Sequence, residues 1–291
     1  MAVVLITGSS TGIGLATALH LARNGYTVYA SMRRPEQATE LQATVKAEGL
    51  DLHTVQLDVD DDGSVSERVA AIEKEAGGID VLVNNAGIAG ALAIEEMEID
   101  FWKSIFETNL FGAIRMTRAV LPAMRKRGSG TIVNVTSVAG RVAIAPQAAY
   151  AASKHALEAA SEVLAQEVQT FGIRVAIIEP GVIVTPIFQK ANPPAPNSAY
   201  GHTQRKFGFF FMKMYQNASQ PGVVAEMIQH AIETDTPKLR YPIGSGADEL
   251  LAGRAQASDE EWTALGGLSD DEWFDATKRL FGLDFRPQGP G

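Results

Sequence analysis

A chain of 291 residues, 46% hydrophobic and 20% charged, has the composition of a globular protein with a sizeable core, and one α/β domain can absorb this length. Its formal net charge of −9 excludes broad nucleic-acid binding, which needs a basic face, and adhesion to anionic membranes. Without cysteine there is no disulfide framework, no cysteine nucleophile and no cysteine-held metal, and no metal site is expected.

The chain enters a short apolar run at residues 3–7 with no basic flank before it, which reads as a buried strand and not as a signal peptide. No apolar run approaches the ~18–20 residues needed to span a bilayer. A soluble, cytoplasmic protein is expected. Residues 13–24 have helical periodicity, closed by Gly25, and 26–32 read as a second strand. A helix over 35–48 opens at Pro35 and stops at Gly49. Then come a strand at 53–59, a helix at 64–76 and a strand at 81–84. A long helix is predicted over 101–127, bent at Pro122, then a strand at 131–137, a second long helix at 150–171 and a strand at 174–179. Continuous apolar strands separated by helices predict a Rossmann-type, doubly wound parallel sheet covered on both faces.

After Pro180 the regularity stops. A long loop is predicted over 186–219, holding the proline cluster at 192–197 and an aromatic run at 207–215. A helix at 222–233 and an edge strand at 239–243 follow. The stretch 248–285 is acidic and helical, with Trp262 and Trp273 each behind an acidic pair. The expected organisation is a dinucleotide-binding catalytic domain over 1–247, its substrate loop at 186–219 included, and a helical extension over 248–291.

Two constellations carry chemistry. Thr7-Gly8-Ser9-Ser10-Thr11-Gly12-Ile13-Gly14 follows a strand and opens a helix, where free amides and the helix dipole favour an anion and glycines let a pyrophosphate approach. Taken alone, such a motif is equally a plain strand-to-helix turn. The second is Ser137, Tyr150 and Lys154. Tyr150 and Lys154 are four apart and share a helix face, so the ammonium can favour the phenolate and bring the phenol toward neutral proton exchange. Ser137 ends a strand, and its hydroxyl suits a substrate oxygen.

Together these residues resemble the short-chain dehydrogenase/reductase family. The family's glycine motif TGxxxGxG is Thr7–Gly14 and its NNAG segment is Asn84-Asn85-Ala86-Gly87. Its catalytic asparagine, serine and YxxxK pair match Asn109, Ser137, Tyr150 and Lys154. Pro180-Gly181 with Thr185 follow the sixth strand, and Asp58-Val59 the third. The resemblance implies Tyr150 as general acid/base, Lys154 lowering its pKa and holding the nicotinamide ribose, Ser137 orienting the substrate oxygen, and Asn109 supporting a relay water. It also implies cofactor binding by Gly8, Ser9, Ser10, Gly12, Ile13, Gly14, Asp58, Val59, Asn85, Ala86, Gly87, Tyr150, Lys154, Pro180, Gly181 and Thr185. Within the family, Leu5-Ile6-Thr7-Gly8, Val28-Tyr29-Ala30 and Leu239-Arg240-Tyr241 look similar to the branch of 17β-hydroxysteroid and retinol dehydrogenases. A homodimer or homotetramer is implied as well.

The end of the second strand decides the cofactor, since an acid there suits the ribose hydroxyl of NAD and an arginine the 2′-phosphate of NADP. Ser31 is read as standing where the acid would be, and Arg33 follows, so NADP is favoured over NAD. Val142 and Ile144, with Phe207 and Phe210, are the candidate walls of a substrate pocket shared with Ser137 and Tyr150. They point to a bulky apolar or aromatic small-molecule substrate, although the aromatics could equally anchor a lid to the core. The rivals are an epimerase or dehydratase of the same fold, which usually carries TGxxGxxG, and a catalytically silent cofactor-binding regulator, which typically lacks the tyrosine or lysine.

Overall fold

The structure is a computed structural model that describes residues 1–187 and 197–287. Its strands are β1 (Val3–Ile6), β2 (Thr27–Met32), β3 (Leu52–Gln56), β4 (Val81–Asn84), β5 (Gly130–Val135), β6 (Ile173–Pro180) and β7 (Arg240–Ile243). They form one parallel sheet in the order β3-β2-β1-β4-β5-β6-β7. The predicted doubly wound sheet is therefore present, with β7 on its edge as expected. Every residue of β1 and β4 is buried, which is why these strands read as unbroken apolar runs.

Side-chain alternation divides β1 between two cores. Val4 and Ile6 face α1 (Gly12–Arg23) and α8 (Pro221–Glu233), packing with Leu21, Val224 and Ile228. Val3 and Leu5 face the other layer, with Val69 of α3 (Asp62–Ala76) and Met116, Val120 and Met124 of α5 (Gly112–Arg127). Strand order reverses between β1 and β4, so the loops after these two strands open a crevice at their carboxyl ends.

Three predicted elements differ. The helix expected from Pro35 is a short 3₁₀ turn at Pro35–Gln37, and α2 runs over Thr39–Glu48, because Ala38 between them leaves helical geometry. The helix predicted over 101–127 is divided into α4 (Ile99–Phe106), a π-helical turn at Glu107–Phe111, and α5. The break falls at Asn109 and not at Pro122, which lies within α5. Gly112 opens α5 against Val59, where a Cβ would come within 2.8 Å of Val59 Cγ2.

The third difference is in the predicted loop. Gly201–Gln216 is a helix, α7. Phe207, Phe210 and Met214 recur on one face of it, and the proline cluster that suggested irregular structure ends before it starts. Of that cluster, residues 192–196 lie outside the described residues. The C-terminal stretch forms α9 (Ala247–Gln256), α10 (Asp259–Ala264) and α11 (Asp270–Phe281). Capping boxes at Ser258/Glu261 and Ser269/Glu272 start the last two, which explains the acidic residues ahead of each tryptophan.

Candidate active site

The glycine loop is built for close approach. Gly8 has φ +69°, and a Cβ there would lie 2.8 Å from Ala86 Cα. A Cβ on Gly14 would lie 2.4 Å from Asn85 Nδ2 and 2.5 Å from Gly8 O. The segment after β4 is latched to this loop. Thr7 Oγ1 accepts from the amides of Asn85 and Ala86, both at 3.0 Å, and Asn85 Nδ2 donates to Thr7 O at 2.9 Å. Asn84 is scaffolding, donating to Asn134 Oδ1 at 2.8 Å within the sheet. Thr11, the residue before α1, makes no side-chain cap to the helix amides, so the N-terminus of α1 can serve an anion in the crevice.

A cavity of about 340 Å³ opens here. Of the expected cofactor residues, Gly8, Ser10, Gly12, Ile13, Arg33, Asp58, Val59, Asn85, Ala86, Gly87, Tyr150, Lys154, Pro180, Gly181 and Thr185 line it. Ser9, Gly14 and Ser31 do not. Ser9 is spent on the fold, its hydroxyl donating to Ile6 O at 3.0 Å and its amide to Ser31 O at 3.0 Å. Gly14 acts by leaving room for Asn85. Ser31 is 1% exposed, and Met32 and Arg33 are the residues that reach the cavity from the end of β2. Ser31 and Met32 are both buried at the end of the strand, and Met32, not Ser31, is the one that lines the cavity. Arg33 also meets an acid. Burial raises the Asp60 carboxyl above its usual range, Asp58 and Glu107 push the same way, and Thr108 and Arg33 oppose them.

The catalytic residues meet at the carboxyl end of β5. Ser137 and Tyr150 line the same cavity, with the Ser137 hydroxyl donating to Pro180 O at 3.4 Å and accepting from Ala139 N at 3.1 Å. Lys154 Nζ donates to Val135 O at 3.0 Å and lies 5.8 Å from the centroid of the Tyr150 ring. Both Tyr150 and Lys154 are buried. Burial raises the phenol above its ordinary value of 10, with the Ser137 hydrogen bond opposing, and it lowers the ammonium from 10.5 to about 8, with Glu158 opposing. The expected depression of Tyr150 by Lys154 has to act against this burial.

Asn109 sits in the π turn, a feature that often marks a functional break in a helix. Its side chain is fully engaged. Nδ2 donates to Ile88 O at 2.9 Å and Ser153 Oγ at 3.0 Å, and Oδ1 accepts from Ile88 N at 2.8 Å. A methyl on Gly87 would fall 3.3 Å from Asn109 Oδ1 and 3.7 Å from Lys154 Nζ, so this glycine keeps the passage between them open.

The expected substrate walls are placed elsewhere. Val142 and Phe210, with Ile144 and Phe207 around them, belong to a separate cluster with Trp273, Phe274 and Phe281 of α11. The Phe210 and Phe285 rings meet at a tilt, their centroids 5.2 Å apart. The apolar residues beside Tyr150 are instead Ala89, Ala139 and Ile187, with Ile88 and Phe101 also lining the cavity. Sequence reasoning missed Phe101 and Ile187, which carry no motif.

A glycine cradle without room for side chains, an open helix N-terminus and a cavity-lining arginine fit a phosphorylated dinucleotide. Beside it, a buried tyrosine and lysine with a serine in the same cavity define an oxidoreductase site of Rossmann type. A profile of the short chain dehydrogenase family matches residues 2–196, and the chain belongs to that family. It is 37% identical over 271 residues to the uncharacterized oxidoreductase YusZ of Bacillus subtilis, covering 90% of this chain and 96% of that one. It is 36% identical over 265 residues to retinol dehydrogenase 8 of Bos taurus, covering 87% and 84%. A short-chain dehydrogenase structure from Streptomyces avermitilis superposes with a TM-score of 0.79 at 36% identity, covering 91% of this chain and 96% of that chain. The protein is an NAD(P)-dependent dehydrogenase or reductase, similar to the retinol dehydrogenase-like branch. Among the described residues, no helix is long and apolar enough to cross a membrane.

Proposed function

We propose that the protein interconverts a secondary alcohol and a ketone on a bulky apolar or aromatic substrate, with NADP(H) as cofactor and Tyr150 as general acid/base. The observation that carries this reading is the meeting of Ser137, Tyr150 and Lys154 with the glycine cradle in one cavity. When bound, the nicotinamide supplies or accepts the hydride. In reduction, Tyr150 Oη donates its proton to the carbonyl oxygen while the Ser137 hydroxyl orients that oxygen. The Lys154 ammonium then stabilises the phenolate left behind. In oxidation the phenolate takes the alcohol proton back. Cofactor residues are Gly8, Ser10, Gly12 and Ile13 of the cradle, Asn85 to Gly87 beside it, and Arg33 toward the 2′-phosphate. Asp58 and Val59 lie on the same wall, and Pro180, Gly181 and Thr185 face them.

The walls next to Tyr150 are apolar, formed by Ile88, Ala89, Phe101 and Ile187, which suits steroid-, retinoid- or aryl-ketone-like substrates. The similarity to a retinol dehydrogenase adds retinoids to the panel, where a primary alcohol and its aldehyde test the secondary-alcohol reading. The test follows absorbance at the nicotinamide band with NADPH or NADP against steroids, retinoids and aryl ketones or alcohols. Turnover of small polar substrates alone would overturn the substrate class, and faster turnover with NADH than with NADPH the cofactor. A cytoplasmic homodimer or homotetramer is proposed as the working form. Light scattering should give a multiple of the 31.1 kDa chain mass, and a 31.1 kDa particle at assay concentration would refute it.

A further inference from the structure

The charged groups behind the catalytic pair suggest a further role, one that rests on the proton-transfer reading of Tyr150 and Lys154. The end of β5 serves α6 (Ala148–Val168) with consecutive residues. Val135 O takes the Lys154 ammonium at 3.0 Å, and the Thr136 hydroxyl donates to Glu158 Oε1 at 2.6 Å. Ser137 follows, lining the cavity with Tyr150. Glu158 stands one turn beyond Lys154 on the same helix face and is 4% exposed. Its other oxygen accepts from Arg240 Nε at 2.9 Å.

The charged surroundings of Glu158 come from several elements. Lys154 and Glu162 are on its own helix, and Arg240 is on β7, bonded also to Glu162 at 2.6 Å. Glu179 on β6 lies 3.8 Å from Arg240 and is approached by Arg141 Nη1 at 3.5 Å. A methyl on Gly140 would meet Glu158 Cγ at 2.9 Å, so the fold encloses this side chain closely. A carboxylate is costly in such a place unless it is paired and hydrogen-bonded. Glu158 does not itself line the cavity, whereas Lys154, one turn away on its helix, does.

We propose that Glu158 is a positioning residue for the proton-transfer pair: its carboxylate, held by Thr136 and Arg240, supplies the negative charge that keeps the Lys154 ammonium protonated inside the fold. Burial alone favours the neutral amine, and a neutral amine no longer stabilises the Tyr150 phenolate. Glu158 opposes that loss from one helical turn away.

Lysine labelled with ¹³C at Cε lets the titration of Lys154 be followed by NMR in the full chain, its signal assigned with Lys154→Arg. The wild-type midpoint is expected at about 8. Glu158→Gln, which keeps the shape, should lower it by about one pH unit. Glu179→Gln, which removes the neighbouring carboxylate facing the arginines, should leave it in place. In ketone reduction with NADPH, the high-pH limb of kcat should move down with the midpoint while KM for the ketone stays the same. If a melting curve shows that Glu158→Gln does not fold, Glu158→Asp, with its charge drawn back, replaces it and should give about half the fall. An unmoved midpoint in the folded variant, or an equal fall in Glu179→Gln, overturns the proposal and reduces Glu158 to a latch between α6 and β7. Full turnover in both Tyr150→Phe and Lys154→Met would instead overturn the underlying mechanism, with the NMR midpoints still deciding the effect of Glu158 on Lys154.

Discussion

Ser137, just past the end of β5, and Tyr150, in the first turn of α6, line one cavity together. The Ser137 hydroxyl partly offsets the effect of burial on the phenol. Tyr150→Phe keeps the packed ring and removes the exchangeable proton. Turnover should fall by roughly 10²–10⁴-fold while NADP(H) affinity changes little. Steady-state kinetics with fluorescence titration of NADPH checks both, and a variant keeping more than about a tenth of kcat would move the acid/base role to another group.

Lys154 should show a conflict between function and stability. Its folded pKa, about 8, lies below the unfolded 10.5. Between these values the unfolded chain holds a proton that the folded chain has released, so stability rises with pH across this window. Below pH 8 the full penalty is present, on the order of 3 kcal/mol. Lys154→Met removes the penalty at the loss of the bond to Val135 O. The variant should be catalytically impaired and bind NADPH less tightly, yet melt above wild type at pH 7. The gap should close as pH approaches 10.5. A melting temperature well below wild type at pH 7 would show that the ammonium contributes more through its hydrogen bond than its burial costs.

Lys206 ties α7 to the C-terminal helices. It is 6% exposed, and Nζ donates to the carbonyls of Leu265, Gly266 and Leu268, the last at 2.6 Å. Lys206→Met leaves three carbonyls without this donor and should cost about 2–3 kcal/mol. Arg205→Ala, next to it, breaks only an exposed pair with Asp270 and should cost under about 1 kcal/mol. Urea melts compare the two, and limited proteolysis should cut the Lys206 variant first around residues 265–268. Equal, small effects of both substitutions would mean that the aromatic cluster alone holds the extension.

The strands were legible in the sequence because a parallel sheet buried on both faces leaves uninterrupted apolar runs. Tyr150, Lys154, Ser137 and the glycine loop were legible because their chemistry fixes residue type and spacing. Ser31 was read as the cofactor-selecting position and the residue lining the cavity is its neighbour Met32, since counting along a strand does not say which of two buried neighbours reaches the crevice. The π turn at Asn109 has no local composition signal. It arises where the helix passes Val59 and where the Asn109 side chain takes up both Ile88 backbone groups. Phe207 and Phe210 look identical in sequence whether they cover a substrate or a core. Their partners, Phe285 and the α11 aromatics, lie far along the chain and assign them to the core.

Cofactor choice rests on the fewest residues. Arg33 and Met32 reach the cavity from β2, and no acid stands at that strand's end. Arg33→Ala should weaken NADPH roughly ten- to hundred-fold, the value of a charge-assisted bond to phosphate, and NADH hardly at all. Met32→Asp should go further, since a carboxylate there repels the 2′-phosphate and accepts from the ribose hydroxyl of NAD, which is specificity through an introduced repulsion. Ser31→Asp should not reproduce this. Ser31, unlike Met32, does not line the cavity, so an acid in its place would be buried away from the cofactor and would lower stability before altering cofactor choice. Raised ionic strength should weaken wild-type NADPH binding more than NADH binding, because screening acts on the extra phosphate. Calorimetric titration of both cofactors into wild type and the three variants, with a melting curve for each, tests the set. Equal wild-type affinity for NADH and NADPH, unchanged by Arg33→Ala and Met32→Asp, would show that Arg33 serves Asp60 and not the cofactor.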